Sequence, residues 1–190
     1  LDDAPSPTEQ PHPTVMPACR AQVVALVSVN GGVGRSTLAT ALGSGLQRLG
    51  RAVTVLELDP QNALHLHFGL PRDSPGIGRA SLCNQAWDQL VQPGFCGSRV
   101  LVFGETDMQQ QEDLQRWLKQ EPQWLAQHLS RLGLNEQDTV IIDTPAGNNV
   151  YLHQALHVAD TVVVLALADA ASLGTLEQMQ RLLAPYLARP

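Results

Sequence analysis

Nine mostly apolar residues, AQVVALVSV (21–29), run without a break into the glycine-rich NGGVGRST (30–37). A near-continuous apolar run with valines is the pattern of a strand buried on both faces. The segment STLATALGSGLQRLG (36–50) follows at once, with Leu38, Leu42, Leu46 and Leu49 on one helical face and Gly50 placed to close the helix. AVTVLEL (52–58) reads as a second buried strand. A strand–loop–helix–strand unit predicts parallel strands joined by a right-handed crossover.

The rest of the chain continues the alternation. Residues 60–98 carry Pro60, Pro71, Pro75 and Pro93 and several glycines, which predicts loops with short helical pieces. RVLVFG (99–104) is expected to be a third strand. The stretch 111–134 repeats Leu114, Leu118, Leu125, Leu129 and Leu132 at helical intervals, with Pro122 predicting a break. DTVIIDTPAG (138–147) reads as a fourth strand ending in an acidic turn. A helix over 150–160, a fifth strand over 161–168 and a last helix over 172–188 complete the pattern. The fold class is therefore α/β, a mostly parallel sheet with helices on both faces.

At 190 residues the chain is long enough for one sizeable core. Residues 1–20, acidic and scattered with prolines, read as a disordered lead-in and lack the basic start and apolar run of a secretory signal. Residues 21–190 form the expected folded domain. The chain opens on Leu1 and stops at Pro190 just after a helix, so it is expected to be a fragment that is incomplete at its C-terminus. The longest apolar run, VVVLALA (162–168), is too short to span a bilayer, so no transmembrane segment is expected. Cys19, Cys83 and Cys96 are odd in number and share no C-x-x-C spacing, which suits a reduced, cytoplasmic protein with incidental thiols. The net charge of −6 gives no footprint for nucleic acid, and none is expected as a partner.

Chemistry concentrates in three places. In GGVGRST, glycines let backbone N–H groups approach phosphate oxygens, and the helix start adds unsatisfied donors and a positive dipole end. Asn30, Gly31, Gly32, Val33, Gly34 and Arg35 make up this candidate phosphate cradle. Ser36 is the candidate ligand for a phosphate-bridging Mg²⁺, and Thr37 the residue placed to reach an α-phosphate. Asp143 ends the strand VIID, and Asp59 stands just past the strand VTVLEL. Strand C-termini at one sheet edge are where ligands bind in such folds, so the three features converge there on a nucleotide site.

GGVGRST, ELDPQNA and IIDTPAG together resemble the altered Walker A loop and the two switch motifs of MinD/ParA-type P-loop ATPases. The resemblance covers residues 22–187, and the step from Asn30 to Asp59 suits it. Within that superfamily, RVLVFGE and NNVYLHQAL add a closer likeness to the BcsQ family of cellulose-synthase accessory proteins. The resemblance implies ATP and Mg²⁺ as ligands, with Asp59 orienting an attacking water if hydrolysis occurs. Asp59 and Asp143 would hold Mg²⁺ through water, and Gly147 would sit near the γ-phosphate. It also implies a homodimer sandwiching ATP. Expected partners are other cellulose-synthase subunits, namely BcsR-like and BcsE-like polypeptides and the synthase itself, which would bring the protein to the inner membrane peripherally.

Three departures from that pattern matter. Asn30 is neutral where the family carries a signature lysine, Arg35 stands at the P-loop lysine position, and Glu57 replaces the first Asp of D-x-D. A misplaced charge still attracts a polyanion, whereas catalysis needs charge where it develops in the transition state. The expected activity is thus ATP binding with weak or absent hydrolysis, in a regulatory subunit of cellulose synthesis. The alternative is an active positioning ATPase for chromosome, septum or flagellum.

Other features read as ordinary. His153 and His157 have the i, i+4 spacing of a zinc helix, but Gln154 replaces its glutamate and no third ligand is evident. His65 and His67 are expected on a surface loop, and Trp87, Trp117 and Trp124 in the core or at an interface.

Overall fold

The fold is described from a computed structural model, over residues 20–94, 97–167 and 172–187. The expected lead-in up to residue 19, and Cys19 and Cys96, lie outside the described residues. Cys83 is a free, exposed thiol.

Strands β1 (Gln22–Val27), β2 (Ala52–Glu57), β3 (Gln92–Pro93), β4 (Arg99–Leu101), β5 (Asp138–Asp143) and β6 (Thr161–Val164) form one sheet in the order β3-β4-β2-β5-β1-β6. Every pairing is parallel except β3 with β4. The helices are α1 (Arg35–Arg48), α2 (Leu64–His67), α3 (Ile77–Leu82), α4 (Met108–Gln120), α5 (Trp124–Ser130), α6 (Val150–Val158) and α7 (Ser172–Leu187), with a 3-10 turn at Trp87–Leu90. Among the described residues, no helix is long and apolar enough to cross a membrane.

The period-two strand pattern divides the core between two faces. Val23, Ala25 and Val27 of β1 pack with Leu114, Leu118, Leu125, Leu152 and Met179 of the later helices. Leu26 packs on the other side with Val53, Val55, Ile141, Ala39 of α1 and Leu64 of α2. A strand flanked on both sides by helices is apolar through its middle, as residues 23–27 of β1, 53–56 of β2 (Thr54 aside) and 140–142 of β5 are.

The break at Pro122 separates α4 from α5. Its freed backbone groups are taken up by one buried side chain, Gln154 of α6. Its amide donates to the carbonyls of Leu118 (3.2 Å) and Glu121 (2.8 Å), and its oxygen accepts from the N–H of Leu125 at 3.2 Å. Glutamate there would offer no donor, so the H-Q-A-L-H pattern serves helix packing. Asp107 caps α4 in a reciprocal capping box with Gln110.

Five details differ from expectation. The third strand pairs only over Arg99–Leu101, and β6 ends at Val164. Strand β3 has two residues and contains Pro93, which lacks an N–H and so stays at the sheet edge. Leu49 follows the last turn of α1 and is 81% exposed. His65 is buried in α2, its Nδ1 at 3.2 Å from the carbonyl of Leu70, and is not a surface group.

Trp87 and Trp124 are buried, and His128 stacks on Trp87 with ring centroids 4.2 Å apart. Burial first, and Arg131 second, push His128 down from the usual 6.5 to about 4. The unfolded chain then binds the proton more readily, so this group's stabilisation is full above about 6.5 and is lost as pH falls through 4. Melting followed by circular dichroism is expected to fall in that window, and His128→Phe, which keeps a stacked ring, is expected to remove that component of the fall.

Candidate functional site

The parallel register sets Leu26 of β1 opposite Asp143 of β5, and Asp143 opposite Glu57 of β2. The chain leaves all three strands at that level, so the segments following β1, β2 and β5 meet at one sheet edge. The loop after β1 turns through Gly32 (φ 71°) and Gly34 (φ 92°), a backbone region open to glycine with little strain. A Cβ at Gly31, Gly32 or Gly34 would meet nothing within 4 Å, so no side chain crowds the loop at these three exposed positions. Gly34 caps α1 with no side-chain acceptor, and no acidic residue lies in the first turn. The positive end of a 14-residue helix thus opens onto the loop.

Ser36 Oγ donates to Asp143 Oδ2 at 2.7 Å. Asp143 Oδ1 is buried and has no hydrogen-bond partner among the described residues. Burial raises the Asp143 carboxyl above its ordinary range, against the Ser36 hydrogen bond and the Arg35 charge, which lower it. Arg35 turns back under the loop. Its Nη1 donates to Ser28 Oγ and, at 3.3 Å, to the carbonyl of Asn30. Its Nε lies 3.6 Å from Asp143 Oδ1 and its Nη2 3.9 Å from Asp59 Oδ2. Asp59 accepts from the N–H of Gln61 at 3.0 Å.

The turn after β5 is fastened to the end of β1. Thr144 Oγ1 donates to the carbonyl of Leu26 at 2.7 Å, and the Gly147 N–H donates to that of Ser28 at 2.9 Å. Asn149 then caps α6 by accepting from the Leu152 N–H at 2.9 Å. The structure therefore brings Arg35, Ser36, Asp59 and Asp143 into contact, with Asn30 and Gly147 linked through Ser28. Val33 is half-buried, and Thr37 is exposed on the first turn of α1. His153 is held between Asn148 Oδ1 (2.6 Å) and Tyr186 Oη (2.5 Å), which ties the start of α6 to α7.

Glu57 and Asn62 do work that the sequence reading did not assign. Glu57 is fully buried, and its two oxygens accept from the N–H groups of Leu64 (2.8 Å) and Phe103 (2.9 Å). Burial pushes its carboxyl up to about 7, against those two bonds. Asn62, in the left-handed region at φ 56°, accepts from the Gly104 N–H at 3.0 Å. These two side chains pin both ends of the segment that carries Asp59. The visible signal for Asn62 was its residue type, since Asn tolerates positive φ. Tyr151 of α6 is raised to about 12, first by burial and then by the charge of Asp59.

The donor set fits a hard divalent cation: a hydroxyl beside a carboxylate with one buried, unpartnered oxygen, and a second carboxylate close by. Among the described residues no group of three or more His, Cys, Asp or Glu side chains could hold a metal ion by itself. Water, joined by phosphate oxygens when a nucleotide is bound, would complete its shell.

The sheet order and the loop between β1 and α1 place the chain in the ParA/McdA-type P-loop NTPase fold. The fold matches apo McdA from Cyanothece with a TM-score of 0.73 and 19% identity, over 87% of this chain and 66% of that one. It also matches cobyrinic acid a,c-diamide synthase from Mycobacterium smegmatis, solved with an ATP analogue and magnesium (TM-score 0.68, 24% identity, 85% and 69% of the two chains). The profile of the family described as cellulose biosynthesis protein BcsQ matches residues 21–186, and the chain belongs to that family. It is 29% identical over 149 residues to the cellulose biosynthesis protein BcsQ of Escherichia coli K12, covering 78% of this chain and 60% of that one. The Salmonella typhimurium relative is 26% identical over the same shares. The chain thus spans about 60% of the length of these curated relatives.

Proposed function

We propose that this chain binds ATP with Mg²⁺ at residues 30–37 and serves as a dimerising regulatory subunit of bacterial cellulose synthesis, with weak or absent hydrolysis. The observation that carries the reading is the hydrogen bond from Ser36 to Asp143 at the mouth of an open glycine loop. It joins a hydroxyl and a carboxylate suited to a phosphate-bound cation where a helix start offers free N–H groups. Fold neighbours solved with an ATP analogue and magnesium, or as an ATP complex, support the choice of ligand. Membership of the BcsQ family supports the pathway, with BcsR-like and BcsE-like subunits and the synthase as partners at the inner membrane. In the proposed site Asp59 and Asp143 reach Mg²⁺ through water, and Gly147 lies near the γ-phosphate.

Weak turnover follows from charge placement. Asn30 has no charge to carry across a dimer interface, and the longer, planar guanidinium of Arg35 does not set its charge where a compact lysine ammonium would. Loss of a correctly placed donor at a developing charge costs roughly 10²–10³ in rate. Millimolar ATP with Mg²⁺ is expected to raise the melting temperature of the wild type, because a ligand that binds only the folded state stabilises it. Asp143→Ala is expected to remove most of that rise. A wild-type melting temperature unmoved by ATP and Mg²⁺ would sink the proposal.

A further inference from the structure

The Arg35 side chain is only 10% exposed, although Asn30, Gly31, Gly32 and Gly34 of the loop before it are all exposed. Its three nitrogens reach three different parts of the site: Nη1 the loop and the end of β1, Nη2 Asp59, and Nε Asp143. Arg35 Nε and Asp143 Oδ1 are both buried and lack hydrogen bonds, yet they face each other at 3.6 Å. The contact is charge against charge, just beyond hydrogen-bonding range. Asp143 is buried and Asp59 partly so, with the buried Glu57 opposite Asp143 in the sheet, and a cation among them is required because a buried unpaired charge is strongly destabilising. A lysine ammonium is a single point and could not serve all three directions at once, whereas the longer, planar guanidinium does.

We infer that Arg35 is the resident cation of the Asp59–Asp143 pair, holding in the nucleotide-free protein the place that a divalent metal would take. This rests on assigning Ser36, Asp59 and Asp143 to the metal side of the nucleotide site. Arg35 and a metal ion then exclude each other at Asp143. Free Mg²⁺ finds the site closed, and Mg²⁺ enters together with phosphates that draw the guanidinium off the carboxylates.

The test omits nucleotide altogether, so it reads separately from the ATP melting experiment. Melting temperature and Mn²⁺ binding by electron paramagnetic resonance are measured at constant ionic strength in wild type, Arg35→Ala and Arg35→Gln. Arg35→Gln keeps hydrogen-bonding capacity toward Ser28 and Asn30 while removing the charge, and it serves if the alanine variant does not fold. Removing one positive charge from about 4 Å is expected to tighten Mn²⁺ binding at least roughly tenfold. Both variants are expected to melt below wild type without metal and to regain part of the loss in Mg²⁺, with wild type unchanged. Adding Asp143→Asn to Arg35→Gln is expected to abolish the metal response. Equal Mn²⁺ affinity in wild type and both variants, or variants that melt no lower than wild type, would overturn the inference.

Discussion

Replacing Glu57 with alanine is expected to lower stability by about 2–5 kcal/mol, the cost of leaving two buried N–H groups unsatisfied and a cavity behind. For a domain of this size that is a fall of about 5–15 °C in melting temperature. The two N–H groups belong to Leu64, at the start of α2, and Phe103, just past β4, so the loss falls on the segments that frame Asp59. Glu57→Gln keeps one acceptor and is expected to lose about half as much. Glu57→Asp tests the extra methylene, because a shorter carboxylate cannot span both donors without moving the backbone. Differential scanning calorimetry of the three variants checks the ranking. Hydrogen exchange at residues 58–64 checks that the Asp59 segment loosens in step. Equal melting of wild type and Glu57→Ala would remove Glu57 from its bracing role.

Gly76→Ala is expected to be at least as damaging. An added Cβ would lie 2.2 Å from the carbonyl oxygen of Phe103 and 2.3 Å from the nitrogen of Gly104. Both are backbone atoms, so no side chain can swing aside, and the loop before α3 must part from the strand end. The N–H groups of Ile77 and Gly78 donate there to Val102 and Phe103, at 3.0 Å each, and would be pulled out of line. A cost of roughly 3 kcal/mol or more is expected, with loss of soluble protein the visible result. Gly45→Ala, on the exposed side of α1 with nothing within 4 Å of the new Cβ, is the matched control. It is expected to stabilise by about 0.5–1 kcal/mol, because alanine costs a helix less entropy than glycine. Chemical denaturation of both variants tests the opposite signs, and two losses of similar size would contradict the packing described.

The sheet was legible because its strands are buried on both faces and so spell out continuous apolar runs at β1, β2 and β5. The meeting of loop, Asp59 and Asp143 was legible from strand ends, since parallel strands deliver their C-termini to one edge. Strand β3 left no trace: two residues have no periodicity, and Pro93 argues against a strand. Side-chain direction was hidden as well. Nothing in ELDPQ says that Glu57 turns into the core toward Leu64 and Phe103 while Asp59 turns toward Arg35. The sequence marked Arg35 as a departure from lysine, but its choice of partners depends on the register that sets Asp143 beside the loop. Gln154 looked like a failed metal motif until the break at Pro122 supplied its three backbone partners.

The central claim is that this loop holds ATP more than it splits it. The direct measurement is a single-turnover assay: the protein, in excess over γ-labelled ATP with Mg²⁺, is sampled over hours and its bound nucleotide separated. The prediction is protein-bound label that stays intact ATP, with phosphate release close to the rate without protein and unchanged by Asp59→Ala. Rapid conversion to ADP and phosphate, abolished by Asp59→Ala, would contradict it and favour an active positioning-type ATPase instead.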